Sequence, residues 1–167
     1  MLEIIQHYYR YNAWATERVL DACQQLSPGE YNAPGCSGNG SIAETLSHLI
    51  TVQWGWFAWF GKTMDMREAV GLMVKNKLTT LDEARAKWAE VNEQTNQLLA
   101  GLTDEALGEV WNFTRMNGKA EAQPLWKMMM HTANHGTHTR AQIVAAIRRA
   151  GHAPGNVDLL NYLLSVE

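Results

Sequence analysis

The chain has 167 residues, of which 46% are hydrophobic and 19% charged, and its formal net charge is -3. This length suits one domain spanning residues 1–167, and the slightly acidic balance argues against nucleic acid as a ligand. The N-terminus is too polar for a signal peptide, and no apolar run is long enough to cross a membrane. We therefore expect a soluble, cytoplasmic protein that binds neither nucleic acid nor membrane.

Four long helical patterns follow one another along the chain, each with apolar residues recurring at steps of three and four. Capping-box signatures begin two of them, formed by Ser41 with Glu44 and by Thr80 with Glu83. Pro and Gly residues mark several of the helix ends. The predicted helices cover residues 2–26, 41–61, 80–101 and 124–150.

The segments between and after these helices complete the predicted fold. Residues 62–79 are mixed in character and predict a long crossover that contains a bent or short helical piece. The stretch VWNFTRMNGKAEA predicts an extended ribbon turning at Asn117 and Gly118, and VDLLNYLLSVE predicts a last short helix. The predicted fold class is all-α: a four-helix bundle with a long crossover between helices 2 and 3 and a short C-terminal helix.

The two cysteines, Cys23 and Cys36, have neither a paired spacing nor a secretory context, so we expect both to be reduced. Cys23 lies on an apolar helical stripe and is predicted to be a small core residue. Cys36 lies in the Gly-rich loop GCSGNG, and the loop predicts an exposed thiol.

The segment HTANHGTHTRAQ places His131, His135 and His138 close together on the fourth predicted helix. On a helix, His131 and His135 differ by about 40° in direction, and His135 and His138 by about 60° the other way. Because His131 and His138 lie about 10.5 Å apart along the axis, at most two of the three can bind one ion.

A metal centre that performs chemistry needs about three protein ligands and an open position, so another ligand must come from a different helix. His48 is the best candidate, because it lies in the middle of an apolar helix where an unpartnered imidazole is costly to bury. The alternative interpretation needs no metal. In that case Thr139, Arg140 and Gln142 satisfy the rings by hydrogen bonding.

Four stretches of the chain, YNAWATERVL, SIAETLSHLI, HTANHGTHTRAQI and RRAGHAPGNVDLLNYL, resemble the DinB family, and the resemblance covers nearly the whole chain. Its most specific part is a histidine on helix 2 together with the NHGTHTRAQ segment on helix 4. The resemblance implies a four-helix bundle, often dimeric, with a divalent ion, commonly zinc or nickel, held by three histidines. Relatives in that family include thiol-dependent S-transferases and a mycothiol-dependent isomerase.

Carried over by position, the resemblance makes His48 the ligand on helix 2 and His135 the first ligand on helix 4. The family's third histidine stands four residues later, where this chain has Thr139, whose hydroxyl is a poor replacement on a borderline-soft ion. Three outcomes stay open: His138 supplies the third nitrogen, His131 supplies it, or the ion is lost. We prefer His138, which lies at nearly the height of the missing ligand, so the predicted ligands are His48, His135 and His138.

Other conspicuous residues have structural alternatives. Arg140 suits either a clamp for an anionic group or a structural bond to a helix end. An aromatic run on the second helix surrounds the helix, which favours packing in the core or in a dimer over contact with substrate. Its members are Trp54, Trp56, Phe57, Trp59 and Phe60.

The leading functional hypothesis is a metal-dependent enzyme of the DinB type, a thiol S-transferase or a hydrolase acting on a small molecule. Zinc or nickel is the expected ion, and a low-molecular-weight thiol is the expected partner. The chain has no GxSxG elbow, phosphate loop or Cys-His nucleophile that would support another chemistry. The second hypothesis is a metal-free, dimeric small-molecule-binding or stress-response module in which Thr139 marks a lost site. A homodimer is expected in either case.

Overall fold

Ten elements make up the computed structural model, which describes residues 1–36, 40–115 and 117–166. Four of them are long helices, and the two strands form one antiparallel hairpin. In chain order they are α1 (Leu2–Cys23), α2 (Pro28–Asn32), α3 (Ile42–Phe60), α4 (Met66–Lys75), α5 (Leu81–Gly101), α6 (Asp104–Gly108), β1 (Val110–Thr114), β2 (Ala120–Pro124), α7 (Leu125–Arg149) and α8 (Leu159–Val166).

The four long helices pack against one another in a ring. Helix α1 contacts α5 and α7, and α3 contacts the same two helices from the other side. Each contributes fully buried apolar side chains to the core between them, among them Leu20, Leu46, Trp88 and Ile143. Burial of each such side chain contributes about 1.5–3 kcal/mol to folding. The predicted all-helical class is confirmed, and α3 and α7 are brought face to face.

The end of α1, the crossover and the hairpin all lie close to where the sequence predicts them. The last turn of the first predicted helix tightens into bonds from residue i to i−3, such as Gln24 N to Asp21 O at 3.1 Å, so α1 ends at Cys23. The predicted crossover contains α4. The ribbon is the β1–β2 hairpin, and Gly118 in its turn has a φ of 82°, a left-handed conformation that suits glycine.

The prediction that Cys36 is exposed is wrong, since only 3% of the residue is accessible. Its backbone N–H donates to Gly40 O at 2.7 Å, which folds the loop back, and its Sγ lies 3.7 Å from Gln142 O on α7. The middle of that loop, residues 37–39, lies outside the described residues. Cys23 is buried as predicted.

The aromatic run on α3 packs within the chain. Trp59 meets Trp111 of β1 edge to face, with ring centroids 5.0 Å apart, and Trp56 contacts Phe60 and His131. Phe57 is buried against Tyr9 of α1. These contacts confirm core packing for most of the run. Within the described ranges, no helix combines the length and the apolarity that a membrane crossing requires.

A capping box begins α3 and fixes where the helix that carries His48 starts. Ser41 Oγ accepts from Glu44 N at 3.1 Å, and Glu44 Oε2 accepts from Ser41 N at 2.9 Å. We expect Ser41→Ala to lower the free energy of unfolding by about 1 kcal/mol, because it leaves a helix N–H without its acceptor. Urea unfolding of the metal-free protein measures this. Ser41→Asp keeps an acceptor and should stay close to wild type; an equal loss in both variants would contradict the capping role.

Candidate metal centre

His48 of α3 and His135 of α7 face each other across the contact between their helices. Their Nε2 atoms lie 3.1 Å apart, and the rings meet edge to face with centroids 5.0 Å apart and an interplanar angle of 72°. Both side chains are partly buried. The two imidazoles that the sequence singled out on separate helices are therefore brought together with their nitrogens pointing at each other.

Burial disfavours the protonated form of both rings. Burial lowers the pKa of His135 to about 4, with a further contribution from the neighbouring His48 ring. Burial also lowers the pKa of His48 below its usual value. Neutral imidazoles carry a nitrogen lone pair, which is the form that binds a metal ion.

The lowered pKa of His135 predicts a pH-dependent stability of the metal-free protein. Its pKa is 6.5 when unperturbed and about 4 in the fold, so between these values the unfolded chain binds more protons. Stability should then fall as pH is lowered through this window. Urea unfolding across the window measures the slope, and His135→Gln should flatten it. An unchanged slope in the variant would contradict a neutral, buried ring.

Thr139, one turn after His135, completes the arrangement. Its Oγ1 lies 3.4 Å from His135 Nε2, and it donates to His135 O at 2.9 Å. Since the hydroxyl proton goes to that carbonyl, the oxygen turns its lone pairs toward the imidazole. Two ring nitrogens and one hydroxyl oxygen thus converge in a buried place where only 2% of Thr139 is accessible.

The other two histidines of α7 have different neighbours. His138 is exposed, and its Nε2 lies 3.0 Å from Gln142 Nε2. His131 is exposed as well and contacts the edge of Trp56, with ring centroids 5.7 Å apart. Within residues 1–36, 40–115 and 117–166, no three His, Cys, Asp or Glu side chains are gathered as a metal-binding group. His138 as third ligand stays a prediction from the sequence.

A buried polar network links α7 to α1, α3 and α5. Asn12 of α1 donates to Gln53 Oε1 at 2.8 Å and accepts from Arg140, and Gln53 donates to Thr95 Oγ1 at 3.1 Å. Gly136 makes room for it, since a Cβ there would lie 2.6 Å from Asn12 Oδ1. Sequence analysis missed Gln53 and Thr95; the signal was a glutamine in the apolar stretch LITVQWGW.

A cavity of about 650 Å³ opens beside His48, between α3, α4 and the chain that follows α4. Its walls are mostly apolar. Leu78 N donates to Ser47 Oγ at 2.9 Å, and this bond joins the segment that follows α4 to α3. A cavity of this size and character suits a small organic molecule. The apolar lining residues are Ala43, Val52, Val70, Met73, Val74 and Leu78, and the polar ones include Glu44, Ser47, His48 and Lys77.

The fold is that of a mostly helical protein, and comparisons with known proteins agree with it. The sequence model of the DinB family matches residues 1–166. The chain is 26% identical over 158 residues to Protein DinB of Bacillus subtilis (strain 168), covering 93% of this chain and 91% of that protein. The chain belongs to the DinB family.

A solved structure shares the fold. The crystal structure of a DinB-like protein from Bacillus cereus ATCC 10987 superposes with a TM-score of 0.72 and 19% sequence identity. The superposition covers 93% of this chain and 97% of that one. At this identity the likeness concerns the fold, and it supports the mostly helical architecture described above.

Proposed function

We propose that this protein is a metal-dependent enzyme that uses His48 and His135 to hold a divalent transition metal, zinc or nickel. The observation that carries the proposal is the 3.1 Å separation of their Nε2 atoms. Two nitrogens bound to one ion at about 2.0–2.1 Å stand about 2.8–3.4 Å apart for coordination angles between 90° and the tetrahedral angle. The rings therefore fit one ion without a change in helix packing.

The chemistry of the donors supports the same proposal. Imidazole nitrogen is a good ligand for zinc and nickel, and the lowered pKa values of both rings keep protons from competing for those nitrogens near neutral pH. The Thr139 hydroxyl, 3.4 Å from His135 Nε2, is the polar group best placed to complete the set. We propose Thr139, or a water that it holds, at the third position in preference to His138.

The reaction we propose is a thiol S-transfer or a hydrolysis. A bound ion supplies a lowered pKa for a water or a low-molecular-weight thiol, which turns it into a nucleophile near neutral pH. The side chains of the protein bind and orient the substrate. The apolar walls formed by Val52, Val70 and Met73 hold the small-molecule substrate and exclude water, and His48 forms part of the same wall.

A second candidate is a metal-free module that binds a small molecule and has lost the catalytic ion. It is favoured by Thr139 at the position where the family resemblance implies a histidine. In this case the two rings share one proton in an N–H···N hydrogen bond, for which 3.1 Å is also suitable. The expected homodimer is common to both candidates and would be tested by sedimentation.

The metal content of protein purified without an affinity tag separates the two candidates. We expect zinc or nickel in a one-to-one ratio, and a cobalt-substituted protein whose visible spectrum reports its coordination. No bound transition metal after supplementation would overturn the metal-dependent enzyme. Incubation of the loaded protein with low-molecular-weight thiols and a chromogenic electrophile then tests S-transfer, and ester substrates test hydrolysis.

A further inference from the structure

Arg140 is a buried cation with an unusual set of partners. Only 1% of the residue is accessible, and its guanidinium donates to neutral oxygens: Asn12 Oδ1 and O, Thr16 Oγ1 at 3.2 Å and Thr137 Oγ1 at 3.2 Å. Its Nε has no acceptor among the described residues. No carboxylate in the described part of the chain forms an ion pair with it.

A buried charge is normally compensated by an opposite charge, because removing an ion from water is costly. The Tyr11 ring, whose centroid lies 5.5 Å from the Arg140 Cζ, and the neutral oxygens compensate it only in part. The incompletely compensated positive charge of Arg140 therefore attracts an anion into the space beside it.

Such a space adjoins Arg140, and neither His48 nor His135 lines it. A cavity of about 470 Å³ lies between α7 and the chain that leads into α8. Thr137, Arg140 and Arg148 are part of one face of α7, spaced by three and eight residues, and all three line it. Asn156 and Asn161 add amide donors from the opposite wall.

One carboxylate, Asp158, also lines this cavity, but it is already engaged. Its Oδ1 accepts from Leu160 N at 2.8 Å, where it caps the start of α8. Arg148 forms no ion pair within the described ranges. The lining therefore includes two arginines, the exposed Arg148 and the buried Arg140, against one carboxylate that caps a helix.

We propose that this cavity is a binding site for an oxyanion, the phosphate or carboxylate group of a small molecule. Arg148, Asn156 and Asn161 contact the anion directly, and Arg140 supplies the buried positive charge beneath it. A planar guanidinium matches both kinds of oxyanion through paired hydrogen bonds. The site is independent of the histidine pair, so it stands whether or not the protein binds a metal.

Titration of the ¹⁵N-labelled full chain with inorganic phosphate, and separately with acetate, tests the proposal at constant ionic strength. We expect saturable shifts of the backbone amides of Thr137, Arg148 and Asn156 with at least one of the two anions. The anion that binds more tightly identifies the favoured group. Shifts that do not saturate, or that sodium chloride reproduces, would overturn the site.

Matched variants locate the binding. Arg148→Gln should weaken it about tenfold or more, because a charge-assisted hydrogen bond is lost. Arg149→Gln is the control, since Arg149 lies next in sequence but donates to Gly35 O and does not line the cavity. Asp158→Asn keeps a helix cap and removes the competing charge, so it should tighten binding. Equal effects of the two arginine variants would overturn the assignment.

Discussion

Replacement of His135 by alanine is expected to abolish metal binding. The variant loses one of the two imidazoles whose Nε2 atoms lie 3.1 Å apart, and only His48 and a hydroxyl are left. Loss of a group that merely supports a ligand already costs about 10–100-fold in affinity, so loss of the ligand itself should exceed about 100-fold. His48→Ala should behave in the same way. Competition with a chromophoric chelator measures both affinities.

Two control variants make this result specific to the pair. His131→Ala removes an exposed imidazole from the same helix, and His138→Ala removes the one beside Gln142. Both should bind metal as wild type does. Alanine favours the helix at each position, so the variants should stay folded, which circular dichroism checks. Metal loss in His138→Ala, with the pair intact, would make His138 the third ligand, as the sequence predicts.

Replacement of Thr139 by histidine is expected to tighten metal binding by at least about tenfold, because it adds a third imidazole to the two present. Position 139 lies one turn after His135, about 40° around the helix and about 6 Å along it. An imidazole at this position can therefore reach the metal position beside the His135 ring. The Thr139 hydroxyl already lies 3.4 Å from His135 Nε2. Isothermal titration with zinc, followed by the cobalt spectrum, measures the gain.

Thr139→Val is the matched control, since it keeps the size and branching of the side chain and removes only the hydroxyl. We expect this variant to bind the metal more weakly than wild type does, because the hydroxyl oxygen is no longer present as a third ligand. If Thr139→His binds no more tightly than wild type while Thr139→Val is unchanged, this position lies outside the centre. The metal-free module would then be favoured, provided that His135→Ala also has no effect.

Much of the fold follows from local rules that can be read along the chain. Apolar residues at steps of three and four predicted the four long helices, and reciprocal capping placed the starts of α3 and α5 at Ser41 and Thr80. The hairpin turn at Asn117 and Gly118 was predicted from another local rule, that an Asn-Gly pair favours a tight turn between two strands. Cys36 was assigned to the surface wrongly, because its burial depends on α7, a distant part of the chain.

For the candidate site too, some features can be read from the sequence and others depend on the packing of the helices. The sequence by itself determined that His48 lies within one helix and that His131, His135 and His138 lie on another, with fixed angles between them. Neighbours on a helix point about 100° apart, but the helical period does not say how α7 is rotated toward α3. Only the packing of the long helices decided that His135 faces His48, with Thr139 beside His135, while His138 faces solvent. The reason is that the rotation of α7 is set by side chains from several helices at once.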